Sequence, residues 1–148
     1  VAGDATYAPP EQLYGFRDPE WTTSRFGCDL YMLGNLGSFL FTGANVTSLL
    51  FTHLDGQFHP ASWARSYADV LPYLQASFGK VMTDLKVQHA GPCSAEIEGI
   101  IRELCNPDLS KRGQTKGVGR YNQYSLERYV SRFDLLNKRI AFEMRKTR

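Results

Sequence analysis

Asp29-Leu-Tyr-Met-Leu-Gly-Asn-Leu-Gly-Ser-Phe-Leu-Phe-Thr-Gly43 carries no charge after its first residue. Leu30, Met32, Leu33, Leu36, Phe39, Leu40 and Phe41 point to several sides of any helix formed here, and only Asn35, Ser38 and Thr42 make a narrow polar stripe. A helix apolar almost all round belongs inside a protein, so the stretch predicts a central buried helix over 29–43 with other elements packed around it. Asp29 stands at the expected first turn, where a carboxylate meets unpaired backbone N–H groups and the positive end of the helix dipole. Gly43 ends the helix, since its backbone tolerates positive φ. Gly34 and Gly37 would each cost about 1 kcal/mol against Ala on an exposed helix, so both are expected to mark close packing.

At 148 residues, with 43% hydrophobic and 13% aromatic side chains, the chain has the size and composition of one globular domain. Its formal net charge of +2 hides an asymmetry: residues 1–110 hold 6 basic and 12 acidic side chains, and residues 111–148 hold 11 and 3. A basic C-terminal segment thus follows an acidic body. Cys28, Cys93 and Cys105 are odd in number and widely spaced, which favours reduced thiols and a cytoplasmic setting over a disulfide framework or a zinc site. No secretory signal opens the chain. It begins at Val1 without an initiator Met, as a piece of a longer protein would. The uncharged run from Leu30 to Leu54 is broken by Asn35, Ser38, Asn45, Thr47, Ser48 and His53, so no membrane span is expected. His53, His59 and His89 show no metal-ligand spacing, and no metal site is expected.

Around the central stretch the reading is mostly α. Residues 1–28 read as irregular backbone, with Pro10 opening one short turn and Arg17 to Cys28 forming a surface loop pinned by Trp21 and Phe26. Val46 to Leu54 reads as a buried continuation, Ser62 to Val70 as a short helix capped by Ser62, and Pro72 as the first turn of the next. Leu74, Phe78, Val81, Met82 and Leu85 give that helix an amphipathic stripe. Ser94 starts the clearest helix, with Ile97, Ile100, Ile101, Leu104 and Cys105 on one face. Lys111 to Asn122 is a basic, Gly-rich loop. Ser125 then caps a last helix striped by Leu126, Tyr129, Val130, Phe133, Leu136, Ile140 and Met144. The whole is one partial domain, with 44–112 surrounding the central helix and 113–148 forming the basic loop and tail.

Three pieces, in order, resemble the C-terminal lobe of eukaryotic-type Ser/Thr protein kinases. Gly3-Asp-Ala-Thr-Tyr-Ala-Pro-Pro-Glu11 resembles the family's Gly-Thr-x-x-Tyr-x-Ala-Pro-Glu at the end of the activation segment. Asp29-Leu-Tyr-Met-Leu-Gly34 with Thr42-Gly43 resembles its central helix, Asp-Val-Trp/Tyr-Ser-Leu-Gly to Thr-Gly. Leu104-Cys-Asn-Pro-Asp-Leu-Ser-Lys-Arg112 resembles its closing Leu-x-x-Asp-Pro-x-x-Arg.

The resemblance implies a helical lobe without the family's N-terminal β lobe and catalytic loop. It implies that Glu11 pairs with Arg112 to tie the activation segment to the lobe, and that Asp29 bonds the backbone of the catalytic loop. Gly3, Asp4, Thr6 and Tyr7 would line the groove for a protein substrate. ATP and magnesium would belong to the parent kinase, whose Gly-rich loop, His-Arg-Asp and Asp-Phe-Gly motifs have no counterpart between Val1 and Arg148. No catalytic, cofactor or metal residue is therefore assigned in this chain, and the missing N-terminal lobe is an expected partner in the parent.

Asp4 stands where the Ser/Thr kinases carry a Thr that contacts the catalytic carboxylate, so a pseudokinase or scaffold lobe is an alternative. A second alternative is a helical module whose basic tail binds nucleic acid or an anionic surface. The kinase-like reading expects no nucleic acid and treats that tail as a docked amphipathic helix.

Overall fold

The computed structural model describes residues 4–88, 93–116 and 123–146, without the side chains of residues 86–88. The expected site residue Gly3 and His89 lie outside this set. The described residues form six α-helices and no strand: α1 (Pro10–Leu13), α2 (Trp21–Thr42), α3 (Val46–His53), α4 (Tyr67–Gln88), α5 (Ser94–Leu104) and α6 (Leu126–Lys146). Single 3-10 turns occupy Gly56–Phe58 and Leu109–Lys111.

The central helix is real, but it starts two turns earlier than its composition predicts. Glu20 caps α2 by accepting from the Thr23 N–H at 2.8 Å, so Trp21 to Cys28 is helix and not loop. Trp21 does not pin this segment to the core, since it is 62% exposed and meets Phe26 only edge-on. Asp29 lies inside the helix, exposed and with no hydrogen-bonding partner among the described residues. At the other end Gly43 has φ 75 and its N–H donates to the Phe39 carbonyl, as a left-handed cap requires.

Burial of α2 is one-sided. Leu30, Tyr31, Gly34, Asn35 and Ser38 face the core, whereas Met32, Leu36, Phe39 and Leu40 are exposed. The polar stripe of Asn35 and Ser38 therefore points inward. It does so because both side chains find buried partners: Ser38 Oγ donates to the Ala44 carbonyl at 2.8 Å, and Asn35 is met below.

Gly34 lets α5 cross close by. A Cβ there would sit 2.5 Å from Leu104 Cβ and 2.6 Å from Cys105 Sγ, inside any allowed contact. Gly37 differs from its expected role, since its Cβ would meet nothing nearer than Phe133 Cζ at 3.8 Å.

α3 is a separate helix, capped by Asn45 through the Ser48 N–H at 2.7 Å. α4 runs unbroken from Tyr67 through Pro72 to Gln88, in place of the two helices expected from Ser62 and Pro72. Val70, Leu74, Phe78, Val81, Met82 and Leu85 along it are all buried. Each such side chain contributes about 1.5–3 kcal/mol on burial, which outweighs the one backbone hydrogen bond that Pro72 cannot donate.

α4 packs against both α3 and α5, and α5 against α2. α5 buries Ile97, Ile100, Ile101 and Leu104, followed by Cys105. α6 buries only Tyr129 and Leu136 fully, with Phe133 and Ile140 half-buried; Leu126, Val130 and Met144 of its expected stripe are exposed. No helix among the described residues is long and apolar enough to cross a membrane.

Candidate functional site

Glu11 and Arg112 are 101 positions apart and both buried. The Pro9-Pro10 pair fixes the approach to α1, and Pro10 at its first position leaves Glu11 in the opening turn, where a carboxylate suits the helix dipole. The 3-10 turn Leu109–Lys111 ends at Arg112 and turns its side chain inward. Its Nη1 donates to Glu11 Oε1 at 2.6 Å and its Nη2 to Glu11 Oε2 at 2.8 Å. Nη1 also donates to the Gly27 carbonyl at 2.9 Å and Nε to the Asn106 carbonyl at 2.8 Å. The guanidinium lies over the Tyr31 ring, 4.9 Å from its centre.

This parallel fork is the strongest geometry for a guanidinium and a carboxylate. Burial alone would lower the Arg112 pKa, but the charge of Glu11 and its hydrogen bonds outweigh burial and hold the pKa above the ordinary value. One side chain thus joins α1, α2 and the end of α5.

A second buried knot holds the segment just before Glu11. Asn35 Nδ2 donates to the Thr6 carbonyl at 3.3 Å and to Thr47 Oγ1 at 2.9 Å, while Asn35 Oδ1 accepts from the Val46 N–H at 2.6 Å. Thr47 Oγ1 donates to the Ala8 carbonyl at 3.1 Å and lies 3.1 Å from the Tyr31 hydroxyl. No buried side-chain nitrogen or oxygen in this knot is left unpaired, and the knot ties down the carbonyls of both Thr6 and Ala8. In the sequence Asn35 stands only as part of a polar stripe, and Asn35 and Thr47 as breaks in an uncharged run, with nothing to pair them. The available signal was an amide set among apolar residues at helical spacing.

Residues 4–8 form overlapping turns, with the Tyr7 N–H donating to the Asp4 carbonyl at 3.1 Å and the Ala8 N–H to the Ala5 carbonyl at 3.3 Å. Asp4 accepts from the Thr6 N–H at 2.9 Å and from the Thr6 hydroxyl at 2.8 Å. These bonds, the backbone one foremost, hold its carboxyl below the ordinary range. Asp4 and Thr6 are exposed and Tyr7 is half-buried. The structure therefore sets Thr6, Glu11 and Arg112 along the buried face of α2, between Gly27 and Asn35, whereas Asp29 lies on the solvent-facing side of that helix.

Elsewhere, His53 Nε2 lies 2.6 Å from Asp84 and His59 Nε2 3.1 Å from the Leu54 carbonyl. No group of His, Cys, Asp and Glu among the described residues is placed to hold a metal ion. The basic tail is substantially paired: Arg132 with Glu103, Arg139 with Glu96, and Lys138 and Lys146 with Asp134 and Glu143 of α6 itself. Neither a protein-family model, nor a curated protein, nor a solved structure matches the chain.

Proposed function

We propose that the chain is the substrate-side helical lobe of a Ser/Thr protein kinase. Its parent would transfer the γ-phosphate of ATP, held with magnesium, to hydroxyls of protein substrates in a reducing, cytoplasmic compartment. The observation that carries this reading is the buried fork between Glu11 and Arg112. In a protein kinase that pair has a purpose: phosphoryl transfer is mainly a matter of positioning, and the segment presenting the substrate must be fixed to a rigid base. Here residues 4–8 are anchored twice, through Glu11 and through Asn35 and Thr47. In this reading Asp29 would meet the catalytic loop of the parent, and Gly3 to Tyr7 would face the substrate next to its phosphoacceptor.

The coding sequence ahead of Val1 tests the proposal. Intact His-Arg-Asp and Asp-Phe-Gly motifs, with ATP-dependent phosphorylation of Ser or Thr by the longer product, are the expected result. Absence of any kinase-like sequence sinks it. The pseudokinase reading rests on one observation, the ionised Asp4 at the substrate-facing turn. Degraded motifs upstream, without phosphoryl transfer, would favour that version. Pairing of Arg132 and Arg139 with α5 favours a docked amphipathic tail over a nucleic-acid binder.

A further inference from the structure

Among the described residues, five of the exposed large hydrophobic side chains belong to α6: Leu126, Val130, Leu135, Phe142 and Met144. Tyr129, Phe133, Leu136 and Ile140 turn to the core, so the far side of the helix meets solvent. Residues seven apart on a helix lie within about 20° of one another. Leu135 and Phe142 therefore make one row on that far side, 59% and 57% exposed, and Arg128 heads it. Lys138 and Arg145 run along one flank of the row, and Arg139 and Lys146 along the other, all four exposed. The Lys146 Nζ stands 4.4 Å from the centre of the Phe142 ring.

Charge and shape narrow the occupant. α6 carries six basic side chains against three acidic ones. Lys138 and Lys146 are paired with Asp134 and Glu143 of the same helix, at the surface, and such pairs contribute little, so both cations can turn to an outside anion. Arg128 and Arg145 form no ion pair among the described residues. The face is the outside of a single helix, and therefore convex. A convex apolar row between cations needs a surface that yields around it. A bilayer interface does so, since its acyl chains receive the apolar groups while lipid phosphates and carboxylates receive the cations. A nucleic acid offers the negative charge but no apolar bed for Leu135 and Phe142 together.

We propose that the outer face of α6 lies on an anionic lipid surface, with Leu135 and Phe142 entering the headgroup region and the flanking cations meeting the lipid anions. The inner face stays docked on the lobe, held by Arg139 and Arg132 to Glu96 and Glu103. This attachment requires nothing of phosphoryl transfer, so it stands or falls apart from the kinase reading.

Flotation of the chain with phosphatidylcholine vesicles holding about 30% phosphatidylserine tests it. The chain should float with these vesicles, far less with phosphatidylcholine alone, and less again as salt is raised. Leu135→Ser with Phe142→Ser should weaken binding about tenfold or more, and Lys138→Glu with Arg145→Glu by at least as much. The circular-dichroism melts should be unchanged, since all four side chains are exposed. If a double variant melts early, Phe142→Trp decides: the emission it adds should shift to the blue with the anionic vesicles and not with phosphatidylcholine. No flotation, equal flotation with both vesicles, or no blue shift overturns the proposal. So does binding of duplex DNA or single-stranded RNA that matches the vesicles and ignores the two Ser substitutions. A dimer in sedimentation equilibrium that the same two substitutions dissolve would assign the face to a second copy, and overturns it too.

Discussion

Arg112 shows what a single side chain contributes when every neighbour is built to receive it. Both ends of its ion pair are buried and bonded, so removing one strands a charge. Glu11→Ala and Arg112→Ala should each destabilise the chain by about 3–5 kcal/mol, and the double variant by clearly less than their sum. Urea denaturation of the four proteins measures this, and additive losses would mean that the fork contributes nothing as a pair. Arg112→Lys should rescue little, because an ammonium reproduces neither the parallel fork nor the contact with the Asn106 carbonyl. Two of the glycines of α2, Gly34 and Gly37, give a sharper contrast. Gly34→Ala forces a methyl into Leu104 and Cys105 and should cost about 1–3 kcal/mol. Gly37→Ala has room at 3.8 Å and should be neutral or stabilising by up to about 1 kcal/mol. Thermal melts that ranked the two alike would contradict the packing described.

At the level of elements, α2 was legible as the organising helix because a long uncharged apolar run has few other uses. Its start was not legible. Thr22, Thr23, Ser24 and Gly27 are loop formers in isolation, yet Glu20 caps the helix and the Gly27 carbonyl is taken up by Arg112, a partner far away in sequence. Nor did composition reveal which side of α2 turns inward, since Asn35 is buried by partners in α3 that the local pattern does not contain. The fork was legible only through the order of three motifs, because each of its charges alone reads as a surface group. Leu40, 72% exposed, tests the one-sided burial. Leu40→Ala should change stability by less than about 0.5 kcal/mol, as surface substitutions do. A fully enclosed α2 would instead demand about 2–5 kcal/mol, and a urea midpoint distinguishes the two.

For the molecule as a whole, buried phenols set an alkaline limit. Burial pushes Tyr14 up to about 12 from 10.0, and chiefly burial raises Tyr31, Tyr67 and Tyr129 as well. Below pH 10 these groups are neutral in folded and unfolded chains alike, and nothing is lost. Between pH 10 and about 12 the unfolded chain releases the Tyr14 proton and the folded chain keeps it, so stability falls as pH rises. Urea midpoints should drop from about pH 9 to about pH 11, and Tyr14→Phe should flatten part of that slope. The fork between Glu11 and Arg112 also sets an order of events. Closing a loop of 101 positions is entropically slow beside the nearby pairing of α3 with α4 or α4 with α5, so it belongs on the native side of the folding barrier. Stopped-flow chevrons of Arg112→Ala should show faster unfolding with refolding almost unchanged, which makes this side chain a latch on the lifetime of the native state.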